Sequence, residues 1–160
     1  MSQNQTGAPV AAYTIAIPGN RSPHVLTIPG RLDGLNEYTK ANRTHYSKGA
    51  DMKQQNQELV MWHILSQLRG VKFTKPVFML FTFYEQDKRR DRDNVSSFAR
   101  KVIQDALVQV GTLKDDGWDY VTGYLDQFHV DRKTPRIVVE FIEQEVTPAC
   151  KRSQSKRSAK

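Results

Sequence analysis

The sequence lacks most of what marks the common alternative chemistries. It has one cysteine, Cys150, close to its C-terminal end. No intramolecular disulfide can form, which fits a reducing compartment. There is no cysteine pair and no His-x-x-x-His, which argues against a zinc site. No glycine-rich stretch ends in Gly-Lys-Ser/Thr, so the chain has no phosphate-cradling loop for nucleotide hydrolysis, and no nucleotide cofactor is expected. Gly-x-Ser-x-Gly is missing as well. With the lone cysteine in a polar tail, this argues against a serine or thiol nucleophile. The longest nearly apolar run, Val77 to Tyr84, is far too short to span a bilayer, so no membrane partner is expected. The opening MSQNQTGAPV has no basic segment followed by an apolar core, and no secretory signal is expected there.

What is present suits one soluble domain. The chain has 160 residues, 38% of them hydrophobic and 26% charged, which is enough for one core. The net charge is +7, but the last ten residues, KRSQSKRSAK, hold five of the positive charges and no acid. That tail is expected to be disordered, acting as a solubilising end or as a non-specific nucleic-acid tether. Elsewhere, residues 31–75 hold eight Lys/Arg against four Asp/Glu, and residues 102–146 hold nine Asp/Glu against four Lys/Arg. The fold is therefore expected to have a basic side and an acidic side.

Pattern along the chain predicts a mixed α/β domain, with helices packed on a small sheet. Tyr13–Ile17 and Val25–Ile28 alternate like strands, the second ended by Pro29-Gly30. Residues 30–50 look like a long polar loop with Arg31, Lys40, Arg43, His45 and Lys48 set among Tyr38 and Tyr46, a mix that suits a backbone-gripping segment or an ordinary solvated loop. A helix is expected from about Asp51 to Arg69, stopped by Gly70. Its second half, Leu59 to Leu65, is apolar nearly all round, which predicts deep burial or a subunit contact, with His63 as a core histidine. Val77–Tyr84 is the expected central strand, covered on both faces. The next helix spans about Asn94 to Val110 with Gly111 as its stop, and strands follow near Tyr120–Val130 and Arg136–Ile142. The expected order is strand-helix-strand-helix-strand-strand, with two main helices.

The chemistry-bearing segment is Arg89-Arg90-Asp91-Arg92-Asp93-Asn94, followed at a distance by Asp115-Asp116. Arginine offers phosphate a planar two-pronged donor. Clustered aspartates gain most with a hard divalent cation between them. In an extended segment Asp91 and Asp93 would point the same way and could face one cation. The same residues also make ordinary structural signatures: Asp-Asn before an apolar-periodic run is an N-cap, Asp-Asp-Gly is a turn, and Lys101 with Asp105 is a surface i,i+4 pair.

Arg90-Asp91-Arg92-Asp93-Asn94, the helix with Lys101 and Asp105-Ala106-Leu107, then Gly111 and Asp115-Asp116, together resemble the RusA-type Holliday-junction resolvases, as do Ile28-Pro29-Gly30, Asn36 and Tyr38 upstream. The likeness covers roughly residues 24–143. It implies a homodimeric, Mg²⁺-dependent endonuclease (Mn²⁺ the alternative ion) of phage or prophage origin. Such an enzyme cuts four-way DNA junctions with paired nicks in the cytoplasm of a bacterial host or phage-infected cell. It implies metal-binding aspartates at Asp91, Asp93 and Asp116 and a catalytic lysine at Lys101. Counted forward from Asp93-Asn94, the helix is about one turn longer than in the best-known members, and Ser97 then stands at the lysine's place. Arg89, Arg90, Arg92, Asn36, Arg43 and Lys48 are the expected DNA contacts. On this reading, residues 24–146 form the nuclease domain, 1–23 an N-terminal extension and 147–160 the basic tail. A flap or other branched-DNA nuclease, and a non-catalytic DNA-binding protein, are the alternatives.

Overall fold

The structure, a computed structural model, describes residues 24–144. The expected strand at Tyr13–Ile17, the extension 1–23 and the tail 147–160 lie outside the described residues. Within them the chain builds three helices and a four-stranded mixed sheet, in the order β1 (Val25–Pro29), α1 (Leu35–Thr44), α2 (Tyr46–Gln67), β2 (Val77–Glu85), α3 (Arg92–Val110), β3 (Val121–Val130) and β4 (Arg136–Glu143). The sheet order is β1-β4-β2-β3. β2 and β3 are parallel, joined by α3 as the crossover, and β4 runs antiparallel to both β1 and β2. No described helix is long and apolar enough to cross a membrane.

Strand alternation sorts the core. Met79, Phe81 and Phe83 of β2, Ile137, Val139 and Phe141 of β4, and Leu26 and Ile28 of β1 are all buried and join one cluster. That cluster includes Val60 and Ile64 from α2 and Val95, Phe98, Val102, Ile103, Ala106 and Leu107 from α3, the apolar stripe visible in the sequence. β2 is central, as expected, but the helices cover only one of its faces. Leu80 and Thr82, on the opposite face, are both 7% exposed and are not part of that cluster.

The largest departure from expectation is residues 30–50. Where a long loop was expected, α1 forms and α2 begins at Tyr46 instead of near Asp51. The segment of α1 reads as a loop because it is mostly polar, with only Leu35 and Tyr38 reaching the core. Its stability is tertiary. Tyr38 packs on Phe98 at 4.9 Å between ring centroids, and Asn94 Oδ1 accepts the Asn36 N–H at 2.7 Å, satisfying an orphan donor of the first turn. His45 ends α1 and also opens α2, accepting from the Ser47 N–H at 3.3 Å. Gly49 is buried where the two helices meet, and any Cβ there would collide with the Asn42 amide.

In α2 the apolar stretch is split. Val60 and Ile64 are fully buried, whereas Leu59, Trp62 and Leu65 are 45%, 66% and 55% exposed. His63 is not a core histidine. It is half-buried, with its ring 4.9 Å from that of Trp62 and its Nδ1 3.4 Å from Gln67 Nε2. Partial burial holds its pKa below the ordinary imidazole value. α3 ends as expected on Gly111, whose φ of 83° is the left-handed conformation that glycine accepts without strain.

Candidate functional site

β2 and β3 are parallel, so their C-terminal ends and the N-terminus of α3 meet at one edge of the sheet, where α/β folds present ligand sites. A cavity of about 270 Å³ lies there, lined by Glu85, Asp87, Arg90, Asp91, Arg92 and Phe128 among others. Asp91 is the N-cap residue of α3 in extended conformation, and its side chain makes no capping hydrogen bond. Its carboxylate is exposed and forms no ion pair among the described residues. The positive end of the helix makes this an acceptable place for an anionic side chain.

Asp93 departs from the geometry expected of it. The segment is not extended through both aspartates, because Asp93 already belongs to the first turn of α3. Its Oδ1 accepts the Ser97 hydroxyl at 2.6 Å. Asp93, Ser97, Lys101 and Asp105 recur every fourth residue and so form one polar stripe along the helix. Lys101 Nζ binds Asp105 Oδ1 at 2.7 Å and Asp116 Oδ2 at 2.8 Å, and Asp105 Oδ2 also pairs with Lys53 at 2.7 Å. The hydrogen bond to Asp105, then that to Asp116, raises the Lys101 pKa above its ordinary value. The Lys101 ammonium in turn lowers the Asp116 pKa.

Asp116 therefore stands beside Lys101, not beside Asp91 and Asp93. Eight residues separate Asp93 from Lys101, a rise of roughly 12 Å along the helix. Among the described residues no group of three or more His, Cys, Asp or Glu side chains is arranged to hold a metal. Asp91 and Asp93, with exposed carboxylate oxygens, suit a hard divalent cation. Within one chain Asp116 does not complete their set. Of the two positions open to the lysine, the structure puts Lys101 next to Asp116, while Ser97 is bonded to Asp93. Asp115 is exposed on the same loop.

The expected DNA contacts divide. Arg89, Arg92, Asn36, Arg43 and Lys48 are exposed. Arg89 leans toward Asp87 at 3.6 Å, and Arg92 lies over the Phe128 ring, 5.6 Å from its centroid. Arg43 and Lys48 sit on helix ends, not on a flexible loop. Arg90 is turned inward. Its side chain is 16% exposed, pairs with Glu85 at 3.5 Å and donates to the Leu32 carbonyl at 3.1 Å, with Glu85 also taking Arg31 at 3.5 Å. Its Nε is buried with no hydrogen-bond partner among the described residues. A buried carboxylate needs compensating charge, so Arg90 is first a structural arginine.

Asn94 was expected as part of an aspartate-rich motif or of an N-cap pair. It is 8% exposed and ties the α1 N-terminus to that of α3. Gly34 makes that junction possible, since a Cβ there would lie 2.6 Å from Asn94 Oδ1 and 2.8 Å from Arg90 Nη2. Lys53 as the second partner of Asp105 and Arg31 as the second partner of Glu85 were also missed. Each joins elements far apart in the chain, and no local pattern announces such a pair. No protein-family model matches the chain, and no curated protein matches it.

Proposed function

We propose that this protein is a Mg²⁺-dependent endonuclease that resolves four-way DNA junctions by paired nicks, acting as a homodimer in the cytoplasm of a bacterial host or phage-infected cell. The observation that carries the reading is the exposed, unpaired Asp91 beside Asp93 at the α3 N-terminus, on the rim of a cavity at the C-terminal ends of two parallel strands. Asp91 and Asp93 would hold the cation. Asp116 would join them from the second copy. A bound Mg²⁺, or Mn²⁺ in its place, supplies charge neutralisation at phosphate and a more acidic water.

The chain's own residues do the rest. Lys101 offers a charged donor to a phosphate oxygen once freed from Asp116. Arg89, Arg92, Arg43 and Lys48 grip the backbone, and Arg90 holds the site's floor by neutralising Glu85. Two sites are needed for two symmetric nicks, and a two-fold dimer provides them. The exposed side chains of Leu59, Trp62 and Leu65 are available for that contact.

The test is cleavage of a labelled four-way junction beside duplex and flap controls, with Mg²⁺, Mn²⁺ and EDTA arms. Paired nicks on the junction that require the metal are the expected result. Preference for the flap would replace the junction with another branched substrate. Binding with no metal-dependent cutting on any substrate would make the protein a non-catalytic DNA binder.

A further inference from the structure

Trp118 is 98% exposed, the most exposed of the large hydrophobic side chains among the described residues. It stands at the apex of a turn closed by the Tyr120 and Val121 N–H groups, both donating to the Gly117 carbonyl at 3.0 Å. The turn thus places Trp118 on a defined backbone, two residues after Asp116. Beside it a cavity of about 310 Å³ is lined by Gln104, Asp116, Trp118, Thr122 and Tyr124 among others. Tyr124, 50% exposed, provides a second aromatic ring, and the Arg100 guanidinium lies 4.3 Å from its centroid. Lone exposed apolar residues are common on protein surfaces. Two exposed aromatics around a cavity that also holds an amide and a hydroxyl are a recognition surface with specific chemistry: flat faces to stack on, and donors and acceptors for a planar polar edge.

We infer that the Trp118–Tyr124 cleft takes a single unstacked nucleobase, so that the protein recognises DNA in which a base has left the helical stack. This rests on the nucleic-acid reading above and names the feature of the substrate it reads. The charges favour a base over a backbone. Asp115 and Asp119 flank Trp118 in sequence, are exposed and repel phosphate, while an uncharged base ring meets no such penalty. Of the cations near the cleft, Arg100 is held by Asp126 and Lys101 by Asp105 with Asp116, while Lys114 is exposed and lies over the Tyr120 ring, which leaves among the described residues a lone lysine and not a positive patch for a duplex to lie across. Bases splayed from a branch or a single strand are the nucleic-acid groups that fit.

The experiment uses the full chain in EDTA, so that binding is read without cutting. The probes are a four-way junction with 2-aminopurine at the branch, a single strand with the same label, and a continuous duplex with the label inside. Native protein should change the 2-aminopurine fluorescence on the first two probes and not on the duplex. Trp118→Ala should weaken binding to the first two by about tenfold or more, the usual scale of one lost base stack, and leave the duplex unchanged. Trp118→Phe should recover most of the loss, and Val25→Ala, a change at an exposed apolar residue of β1, should leave the fluorescence response intact. Equal loss on all three probes, or none, overturns the inference. So does sedimentation showing that Trp118→Ala splits a dimer, which would make Trp118 a contact between copies. The nuclease reading is judged separately, by Mg²⁺-dependent cleavage. A protein that stacks the base but never cuts keeps the cleft and loses the nuclease, and one that cuts junctions with Trp118→Ala binding unchanged does the reverse.

Discussion

The two halves of α3 carry the same kinds of side chain in opposite states. In the middle of the helix every charge is met: Lys101 lies between Asp105 and Asp116, and Asp105 also takes Lys53. At the N-terminus Asp91 faces solvent with no cap bond, and Asp93 has only a serine hydroxyl. The lesson is that acidic residues about three turns apart on one helix answer to different requirements. The central network explains itself as local pairing, although its exposed members contribute little stability. The terminal aspartates are tolerated by the helix dipole but not used by the fold. A carboxylate that the fold does not use is where a ligand's charge can be met.

The sharpest way to break this contrast is to remove the terminal charges. Asp91→Asn and Asp93→Asn should each lower junction cleavage by about 10²-fold or more, the scale of one lost charge-stabilising group, with an unchanged melting temperature. Asn keeps the acceptor for Ser97, so the helix end survives. Undiminished turnover would show that neither carboxylate takes part in cleavage.

Next comes the inward-facing arginine between these two regimes. Arg90→Ala should cost about 2–3 kcal/mol of stability in urea unfolding, because it leaves the nearly buried Glu85 with only Arg31 at 3.5 Å. A variant as stable as the parent but weak in DNA binding would show that Arg90 turns outward to phosphate.

Asn94→Ala should cost about 1–2 kcal/mol, since it strands the Asn36 N–H at the start of α1. Amide exchange in residues 35–44 should quicken more than exchange in α3. Equal change in both helices would mean that the tie is not specific to α1.

The smallest stability effect belongs to the fully paired region. Lys101→Ala should shift unfolding by only a few tenths of a kcal/mol, with cleavage falling far more. The sign with pH follows from the two shifts. Asp116 is lowered, so its contribution is present above the ordinary carboxylate range and fades as pH falls through its lowered value. Lys101 is raised, so its contribution is full below the ordinary lysine value and fades only as pH rises through the raised one. Between pH 5 and 9 the pair's stability contribution should be flat, and urea midpoints of parent and variant should stay parallel. A gap that opens within that window would point to another titrating group.

Much of this frame was legible from local pattern. The apolar run at Val77–Tyr84, the alternation in Arg136–Ile142 and the stripe from Val95 to Val110 became β2, β4 and α3, with Gly111 at the helix end. The candidate residues at the α3 N-terminus were legible too, as an Asp-x-Asp-Asn cluster at a strand-to-helix junction. Helix α1 was not, because its residues are mostly polar and only two of them face inward. Nor was the separation of Asp116 from Asp91, since the length of α3 gave the span but not the direction in which the following loop turns.

The sequence by itself determined which segments would be strand or helix wherever apolar periodicity ran for several turns or pleats, because that free energy is local and repeats with every residue. It also determined which charged residues were available at the strand-to-helix junction. Only the tertiary structure decided which of them would be used up. Asn94 went to the first turn of α1, 58 residues away, and Arg90 to the carbonyl of Leu32 at the same separation. Asp116 folded back onto Lys101, 15 residues earlier. Each of these choices depends on which elements pack together, and buried polar groups then take whatever partner the packing brings within reach.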